Sequence, residues 1–559
     1  MLLGIDVGGT FTDGVIFAQG EVIARVKQPT DERNIKQSLW SALDELLLKV
    51  DKDDIERVVL STTLITNLLA TGQGEPTALI MIPGYGMPYG EYNICEDTFF
   101  VRGFMDFRGR EIENIDQDEV RDVLREITKR QIHRAAVVGK FSNRNHIQET
   151  MIKNIAKSDF PELDIYISSE VACRLNFPRR AVTTFYTAMI LKEWNRFADE
   201  IETVFKQRHW NGRVEILKAD GGTMTLDASR LQPCETAFSG PAAGNMGALA
   251  LAGEAVNSVV LDIGGTTADI SLLIEGKPLY ASKGAKIDGR FTHINSLAVK
   301  SVPLGGDSVL SPDGDPLIRA YRLGPAACFG GDRPTVIDAF NVAFDLGIGN
   351  AAASYEKISR LGEQSGKPVQ EVSRNVTDQV VLKLRAEITA MFREWEQEPA
   401  YKVWEVVNRK KFTLQRIIGI GAAAEAIIPL LAKDMGIDYL YHKYSPVANG
   451  LGAALVRPTI AVEVHIDTQS QKYSVNPQGH FGVIEKNSRF GLEKAKALAL
   501  ECLKNAAADR GLAHMTPQAQ YYMEEQFNIV RGWDTAGKIF DIGIVIAPGF
   551  VEQFQGVIK

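Results

Sequence analysis

The same short pattern occurs twice in the chain, 256 residues apart. Residues 5–17 read IDVGGTFTDGVIF and residues 261–273 read LDIGGTTADISLL. Both copies have Asp, Gly, Gly and Thr in the same order, a second Asp seven residues after the first, and apolar residues on either side. Apolar runs around a Gly-Gly pair are typical of a strand, a tight turn and a return strand. The sequence therefore predicts two β-hairpins of the same construction.

Each predicted turn has the chemistry of a phosphate site. Paired glycines allow the backbone to approach a ligand without a Cβ in the way, and the freed N–H groups form a concave anion site. A threonine hydroxyl adds one more donor to each turn. The residues expected to surround phosphate are Gly8, Gly9, Thr10, Gly264, Gly265, Thr266 and Thr267.

Four carboxylates flank the two turns and are the candidate catalytic residues. Asp6 and Asp262 end the first strand of each hairpin, where a carboxylate can hold Mg²⁺ through its bound water. Asp13 and Asp269 follow seven residues later. They either orient the metal's water and polarise a nucleophile, or they cap the turn by bonding its backbone.

The repetition decides between two interpretations of the hairpins. A single Asp-x-Gly-Gly-Thr pattern is most often a structural turn. Two copies in the same context favour two hairpins that face each other across a cleft and hold a polyphosphate from both sides. The sequence therefore predicts a site for a nucleotide with Mg²⁺.

Short apolar runs alternate with amphipathic stretches along the rest of the chain, which predicts an α/β fold. Long helices are expected over 34–50, 180–207, 239–253, 376–397 and 492–509. The pattern divides the chain into three regions. Residues 1–180 carry the first hairpin, 181–458 carry the second, and 459–559 form a C-terminal module with a strand pair inside 526–548.

A third glycine turn lies within residues 416–436, which read RIIGIGAAAEAIIPLLAKDMG. Gly419 and Gly421 follow an apolar strand and precede a helix, so a flat base can lie against the backbone there; an ordinary strand-to-helix turn is the alternative. Together with Ala422 and Glu425, these glycines are expected to border adenosine.

Two stretches of small residues, 239–253 and 446–456, are predicted to form helices that cross closely. Close packing alone explains such a composition. The second interpretation is a hinge between two lobes that close over the nucleotide.

Composition excludes several classes of protein. The net charge is −8 and the pI is about 5.7, so no basic surface for nucleic acid is expected. The five cysteines are scattered, which indicates neither a disulfide framework nor a metal site. The first residues do not have the pattern of a signal peptide, and no apolar run approaches the ~20 residues of a membrane span. A cytoplasmic location is expected.

The order of these motifs is similar to that of the sugar-kinase, actin and chaperone ATPase superfamily. Within it, the chain resembles the hydantoinase/oxoprolinase family, specifically the hydantoinase A type subunit. The matching segments are GIDVGGTFTDGVI (4–16), STTLITNLLATGQGEPTALI (61–80), SGPAAG (239–244), LDIGGTTADI (261–270) and GPAACFGGDRPTVIDA (324–339). The resemblance extends to about residue 456. It implies two actin-like (ribonuclease H-like) lobes with a nucleotide cleft between them, followed by a small α/β module.

The resemblance also implies an activity. Members use ATP and Mg²⁺ to open cyclic amides such as hydantoins and 5-oxoproline, and many work as oligomers beside a B-type subunit. Phosphorylation of the carbonyl oxygen would give a leaving group and allow water to open the ring. The alternatives are the ATP-using subunit of a ketone carboxylase, a small-molecule kinase, and a regulatory ATPase that changes shape without small-molecule chemistry.

The chain departs from the family pattern in several places. Asp307 interrupts an expected run of glycines after Gly305 and Gly306, which are still expected at the nucleotide. Asp307 is a metal ligand, an anion repellent or part of a surface turn. His146 matches a family His-Glu pair, but Glu149 lies three residues further on; His146 either caps a helix or touches substrate. The residues after about 458 do not resemble the usual family ending.

Overall fold

The computed structural model describes residues 1–31, 34–86, 88–253, 255–313, 317–397, 413–477, 479–485, 490–532, 534–554, 556 and 558. Within these residues, strands and helices alternate over most of the chain, as an α/β fold requires.

The strands are β1 (Leu2–Val7), β2 (Phe11–Ala18), β3 (Glu21–Pro29), β4 (Arg57–Thr62), β5 (Ala78–Ile82), β6 (Thr98–Phe100), β7 (Phe104–Met105), β8 (Glu111–Glu113), β9 (Arg134–Gly139), β10 (Asp164–Ile167), β11 (Arg213–Leu217), β12 (Thr223–Thr225), β13 (Ser258–Ile263), β14 (Ala268–Ile274), β15 (Lys277–Pro278), β16 (Lys286–Ile287), β17 (Arg290–Phe291), β18 (Val299–Val302), β19 (Ser308–Ser311), β20 (Leu317–Arg322), β21 (Arg416–Ile420), β22 (Asp438–Leu440), β23 (Ile460–Asp467), β24 (Lys472–Asn476), β25 (His480–Val483), β26 (Gln520–Arg531) and β27 (Asp534–Ile546).

The α-helices are α1 (Ile35–Leu47), α2 (Leu64–Thr71), α3 (Gln117–Lys129), α4 (Ile147–Asp159), α5 (Ser168–Val171), α6 (Phe177–Gln207), α7 (Leu226–Leu231), α8 (Ser239–Ala252), α9 (Val336–Phe344), α10 (Ala351–Ser365), α11 (Val369–Glu396), α12 (Ala424–Met435), α13 (Ala448–Leu455) and α14 (Leu492–Ala508). The five long helices expected from the sequence all form. The largest difference is at α11, which begins seven residues earlier than expected, directly after Pro368. Proline's fixed φ and missing N–H suit it to the start of a helix.

Two sheets are built in the same way around the two hairpins. In the first, β1 pairs antiparallel with β2 and parallel with β4, and the strand order is β12-β11-β4-β1-β2-β3. In the second, β13 pairs antiparallel with β14 and parallel with β21, in the order β15-β14-β13-β21-β22, with β18 beside β14. The carboxyl ends of β1 and β13 therefore occupy equivalent positions in their sheets.

Helices α8 and α13 pack against each other between these sheets, and α13 also packs on β1 and β2. Glycines make the crossing possible. A Cβ on Gly247 would lie 2.0 Å from the carbonyl oxygen of Ala448, and one on Gly452 would lie 2.0 Å from that of Ala243. The close crossing predicted from the small-residue stretches is confirmed, and it fixes the two hairpins relative to each other.

Two smaller units complete the described chain. Strands β10-β9-β5-β6 form a sheet with α3 and α4 and have their own apolar core. Strands β25-β24-β23-β27-β26 form an antiparallel sheet after residue 459, with α14 on its apolar face. The predicted strand pair inside 526–548 belongs to this sheet, although its turn includes position 533, which lies outside the described residues.

The first sheet takes strands from both sides of residue 180, because β11 pairs with β4, and α6 crosses that position. Among the described residues, no helix combines the length and the apolar character needed to cross a membrane.

Candidate nucleotide site

The two hairpins close with the same hydrogen bond. Gly8 N–H donates to the Phe11 carbonyl at 3.0 Å, and Gly264 N–H donates to the Thr267 carbonyl at 3.0 Å. The first and second aspartates of each copy face each other across the strands, Asp6 with Asp13 and Asp262 with Asp269. The repeated sequence thus folds into a repeated structure, as the pattern predicts.

The tips of the two hairpins meet. The hydroxyl oxygens of Thr10 and Thr266 lie 3.4 Å apart. Behind them, the side-chain amide of Asn449 donates to Oδ2 of Asp6 at 3.2 Å and to Oδ2 of Asp262 at 3.1 Å. One amide nitrogen therefore holds the leading carboxylates of both hairpins.

Burial and mutual repulsion control the charge of these carboxylates. Burial raises the pKa of Asp6 and of Asp262, although the hydrogen bonds from Asn449 and the charge of Lys27 oppose the rise. Burial also raises the pKa of Asp13 to about 6 and that of Asp269 to about 7. A nearby cation would lower the pKa of each carboxyl group, because it favours the ionised form.

The residues fit a magnesium ion held through water. Oδ1 of Asp6 is buried and has no hydrogen-bond partner among the described atoms, so one carboxylate oxygen is left for a metal or its water. Mg²⁺ commonly uses one or two carboxylates, several waters and the substrate phosphates, and so needs no cage of protein ligands. In the described part of the chain, no group of three or more His, Cys, Asp or Glu side chains is arranged as such a cage.

The loop at 305–307 lies directly behind the second hairpin. Gly306 N–H donates to the Gly264 carbonyl at 2.9 Å, and Asp307 N–H donates to the Gly265 carbonyl at 2.8 Å. A Cβ on Gly305 would lie 2.4 Å from the carbonyl carbon of Gly265. These glycines therefore support the turn from behind.

Asp307 is 7% exposed, so the surface-turn alternative is wrong. Its carboxylate pairs with Arg322 at 3.0 Å and accepts from the Ala326 N–H at 3.2 Å. The structure thus gives Asp307 a cation as a partner next to the second hairpin.

The third glycine turn lies beside Asp262 of the second hairpin. Gly421 has φ +87°, and a Cβ there would lie 2.6 Å from Oδ1 of Asp262, so only glycine fits. Gly419 lies inside β21, and a Cβ on it would lie 2.5 Å from Cγ1 of Ile428. The missing side chain of Gly419 makes room for α12, and its place at adenosine stays a prediction. Ala422 and Glu425 are exposed at the start of α12.

Three contributors to the site were missed in the sequence. Asn449 is the only polar residue within 446–456, and that isolation is the signal that could have found it. Lys27 lies opposite Asp13 on β3 and pairs with it at 2.6 Å, while also donating to the Pro446 carbonyl at 2.7 Å. The first turn of α8 lies against Asp6, with a Cβ on Gly240 falling 3.7 Å from its Oδ1. A helix N-terminus favours negative charge.

Solved structures show the class of fold. The nucleotide-free structure of acetone carboxylase matches with a TM-score of 0.72 at 16% identity, over 99% of this chain and 88% of that one. The ATP-dependent caprolactamase from Pseudomonas jessenii matches with a TM-score of 0.69 at 17% identity, over the same shares. The chain therefore has the mixed α/β fold of these proteins.

Sequence comparison shows the family. The model of the hydantoinase/oxoprolinase N-terminal region matches residues 2–160, and that of the hydantoinase/oxoprolinase family matches residues 180–461. The chain belongs to the hydantoinase/oxoprolinase family.

Curated relatives are distant and longer. The gamma subunit of acetophenone carboxylase from Aromatoleum aromaticum is 24% identical over 60% of this chain and 52% of that subunit. The alpha subunit of caprolactamase from Pseudomonas jessenii is 22% identical over 81% of this chain and 69% of that subunit. The chain thus spans about half to two thirds of the length of these relatives.

Proposed function

We propose that the protein is an ATP-dependent hydrolase of a cyclic amide or imide, with ATP and Mg²⁺ bound between the two hairpins. The observation that carries the proposal is the sharing of one Asn449 amide by Asp6 and Asp262. It brings two phosphate-type turns, from two similar sheets, to one point. In this proposal the two sheets are the centres of two actin-like lobes.

Each group in the site has a proposed task. Asp6 and Asp262 hold Mg²⁺ through water, and the turns Gly8–Thr10 and Gly264–Thr267 donate backbone N–H groups and hydroxyls to the phosphates. Lys27 keeps Asp13 charged, and the N-terminus of α8 supports Asp6. Gly421, Ala422 and Glu425 border the adenosine.

When bound, ATP with its metal supplies an electrophilic phosphoryl group. The carbonyl oxygen of the amide bonds to the γ-phosphorus while the bond to ADP breaks. Water then adds to the carbonyl carbon, and the C–N bond breaks as the nitrogen takes up a proton, which leaves an acyl phosphate. A second water cleaves the acyl phosphate to the carboxylate and phosphate. The protein's contribution is to position the reactants and neutralise charge. The relative whose name supports this reaction is caprolactamase, which acts on a lactam.

A second candidate function is the ATP-using subunit of a ketone carboxylase. The match to acetone carboxylase, with a TM-score of 0.72 over 99% of the chain, favours it. Both candidates place the same nucleotide site in this chain and a B-type partner subunit beside it, in an oligomeric complex.

The test measures ATP hydrolysis with Mg²⁺ in the presence of hydantoins, lactams and ketones, with and without a B-type subunit and hydrogencarbonate. Stimulation by a cyclic amide with ring opening supports the hydrolase. Turnover that requires a ketone and hydrogencarbonate replaces it with the carboxylase, and a stable phosphorylated product indicates a kinase. A basal rate that no compound changes would leave a regulatory ATPase and reject the proposal.

Nucleotide binding is measured in parallel by calorimetry with Asp262→Asn and with Asp118→Asn as the control, since Asp118 is exposed on α3. We expect Asp262→Asn to weaken Mg²⁺-ATP binding at least about tenfold, because it removes a charge from the metal site. Equal binding by both variants would show that the nucleotide lies elsewhere.

A further inference from the structure

The C-terminal sheet has an apolar face and a polar face, and both are covered. Val462, Val464 and Ile466 of β23 point into the core beneath α14. Glu463, His465 and Asp467 alternate with them and therefore point the other way. A sheet with one face toward solvent would leave such residues exposed. Here the polar face packs against the N-terminal region.

Some groups of this polar interface are fully paired. Arg108 of the N-terminal region pairs with Asp467 at 2.7 Å. Nδ1 of His465 lies 2.6 Å from Oδ1 of Asp541 on the neighbouring strand. Glu149, which is fully buried, accepts from the N–H groups of Gly139 and Ser169 and from the Ser168 hydroxyl. Glu149 therefore has a structural role: it ties the end of β9 to the start of α5 on the N-terminal side of this interface.

Other groups at the same interface are buried and have no partner. Asn143 is 0% exposed, and neither its Oδ1 nor its Nδ2 makes a hydrogen bond with the described residues. The hydroxyls of Ser169 and Ser474, each 3% exposed or less, and Nδ1 of His146 are also without partners there. Buried polar groups normally have hydrogen bonds, so this concentration of unused donors and acceptors needs an explanation.

Arg144 brings a positive charge to this cluster of unpartnered groups. Its Nε is buried without a hydrogen-bond partner, and burial lowers the pKa of the guanidinium. The nearest carboxylates that oppose this shift are Asp541 and Asp467, and these are engaged with His465 and Arg108. Burying an unpaired charge is costly. Nε of Arg144 is thus a buried donor for which the described residues provide no acceptor.

The unpartnered groups come from two layers that touch. The ring of His146 lies 4.5 Å from that of Phe481, and Phe481 pairs across the sheet with Ser474. Ser474 in turn lies opposite His465 on the neighbouring strand. The charge of Arg144 is close enough to lower the pKa of His465. The polar face of the sheet therefore lies against the loop that carries Asn143 and Arg144.

One backbone contact crosses this interface, and a second packs the Arg144 loop against its own region. A Cβ on Gly479 would lie 2.0 Å from the carbonyl oxygen of Ser169, and one on Gly109 would lie 2.9 Å from that of Arg144. Both glycines have positive φ, +70° and +76°. The loop itself contains Phe141 at φ +61°, a backbone state that is uncommon for an aromatic residue and is often found at ligand sites.

We propose that Arg144, with the Asn143 amide and the Ser474 hydroxyl, binds a small planar oxyanion, a carboxylate or hydrogencarbonate, between the N-terminal region and the C-terminal module. The planar guanidinium matches such an anion with two parallel hydrogen bonds. The nearby charges of Asp541 and Asp467 favour a singly charged anion over a dianion such as phosphate. The inference does not depend on the proposed function, and its test needs no ATP.

The test follows the thermal unfolding midpoint of the full chain during titration with sodium acetate, sodium hydrogencarbonate or sodium phosphate, at constant ionic strength set with chloride. A ligand that binds the folded state raises the midpoint in a saturable way. We expect acetate or hydrogencarbonate to do so and to identify the source of the anion. Arg144→Gln should weaken the apparent affinity at least about tenfold, and Asn143→Ala should weaken it less.

Arg121→Gln is the matched control, because it removes a paired arginine from the N-terminal region without freeing a carboxylate near Arg144. It should lower the starting midpoint and keep the anion-dependent rise. If none of the three anions raises the midpoint of the wild-type chain, the proposal is wrong. A response that Arg144→Gln retains in full would also overturn it, since the anion would then be bound elsewhere, for example at the phosphate turns. Saturation by phosphate alone would contradict the planar, singly charged anion.

Discussion

The bridge between the two hairpins can be tested by placing a third carboxylate within it. In Asn449→Asp, an oxygen replaces the nitrogen that lies 3.2 Å from Asp6 and 3.1 Å from Asp262. Two unit charges at about this separation repel by about 5 kcal/mol at an effective dielectric constant of about 20. The cost at pH 7 is limited to about 4 kcal/mol, because a carboxyl group can instead take up a proton.

Asn449→Ala is the neutral comparison. It loses hydrogen bonds to two charged acceptors, and we expect it to reduce the free energy of unfolding by about 2–4 kcal/mol. Asn449→Asp should lose up to about 4 kcal/mol more at pH 7. Its folded state holds an additional proton, so the pKa of the shared group is raised. The extra loss therefore appears above pH ~4 and increases with pH until the folded-state pKa is reached.

The assay is urea unfolding of both variants between pH 4.5 and pH 8, with and without Mg²⁺. Mg²⁺ should restore the midpoint of Asn449→Asp more than that of Asn449→Ala, because a third carboxylate strengthens a hard-cation site. The reasoning is refuted if the two variants have the same midpoint at pH 8 and the same pH dependence. The two leading carboxylates would then not share a single amide.

Two further predictions follow from the same site. In the wild-type chain, the raised pKa values of Asp13, about 6, and Asp269, about 7, mean that the folded state binds more protons than the unfolded state. The free energy of unfolding should therefore fall as pH rises from about 4 to about 7, and Mg²⁺ should flatten this dependence. A urea midpoint that rises through this range, at the same rate with and without Mg²⁺, would contradict the prediction. Gly421→Ala should abolish Mg²⁺-ATP binding, because the new Cβ would lie 2.6 Å from Asp262 Oδ1 at φ +87°. Gly436→Ala is the control, with φ +66° and nothing within 4 Å of its Cβ. It should cost about 1 kcal/mol of stability and leave Mg²⁺-ATP binding unchanged. Equal losses of binding in the two variants would show that backbone strain alone explains the effect at Gly421.

The repeated motif predicted the local structure of the hairpins well, because its information is local. Asp, Gly, Gly and Thr specify a strand end and a turn within a few residues. The close helix crossing was also predictable, since a run of small residues permits few other arrangements. These features need no knowledge of distant contacts.

The bridge itself was not predictable in this way. Asn449 lies 443 residues from Asp6 in sequence and reaches it only through the fold. Gly419 makes a contact that its local pattern does not reveal. A glycine before a helix suggests an open backbone, but the side chain that fills the space is Ile428, which belongs to the next helix. Burial changed the interpretation of Asp307 for the same reason, because the partner Arg322 comes from a separate strand.

The two hairpins differ most in what stands opposite their second aspartate. On the first, the cross-strand partner of Asp13 is Lys27, which pairs with it at 2.6 Å and opposes the effect of burial. On the second, the corresponding partner of Asp269 is Ser301, an uncharged residue, and the pKa rises to about 7. A general base works best when its pKa is near the working pH. The repeat therefore supplies two similar turns whose second carboxylates have different cross-strand partners, and we expect Asp269, which faces an uncharged residue, to be the general base.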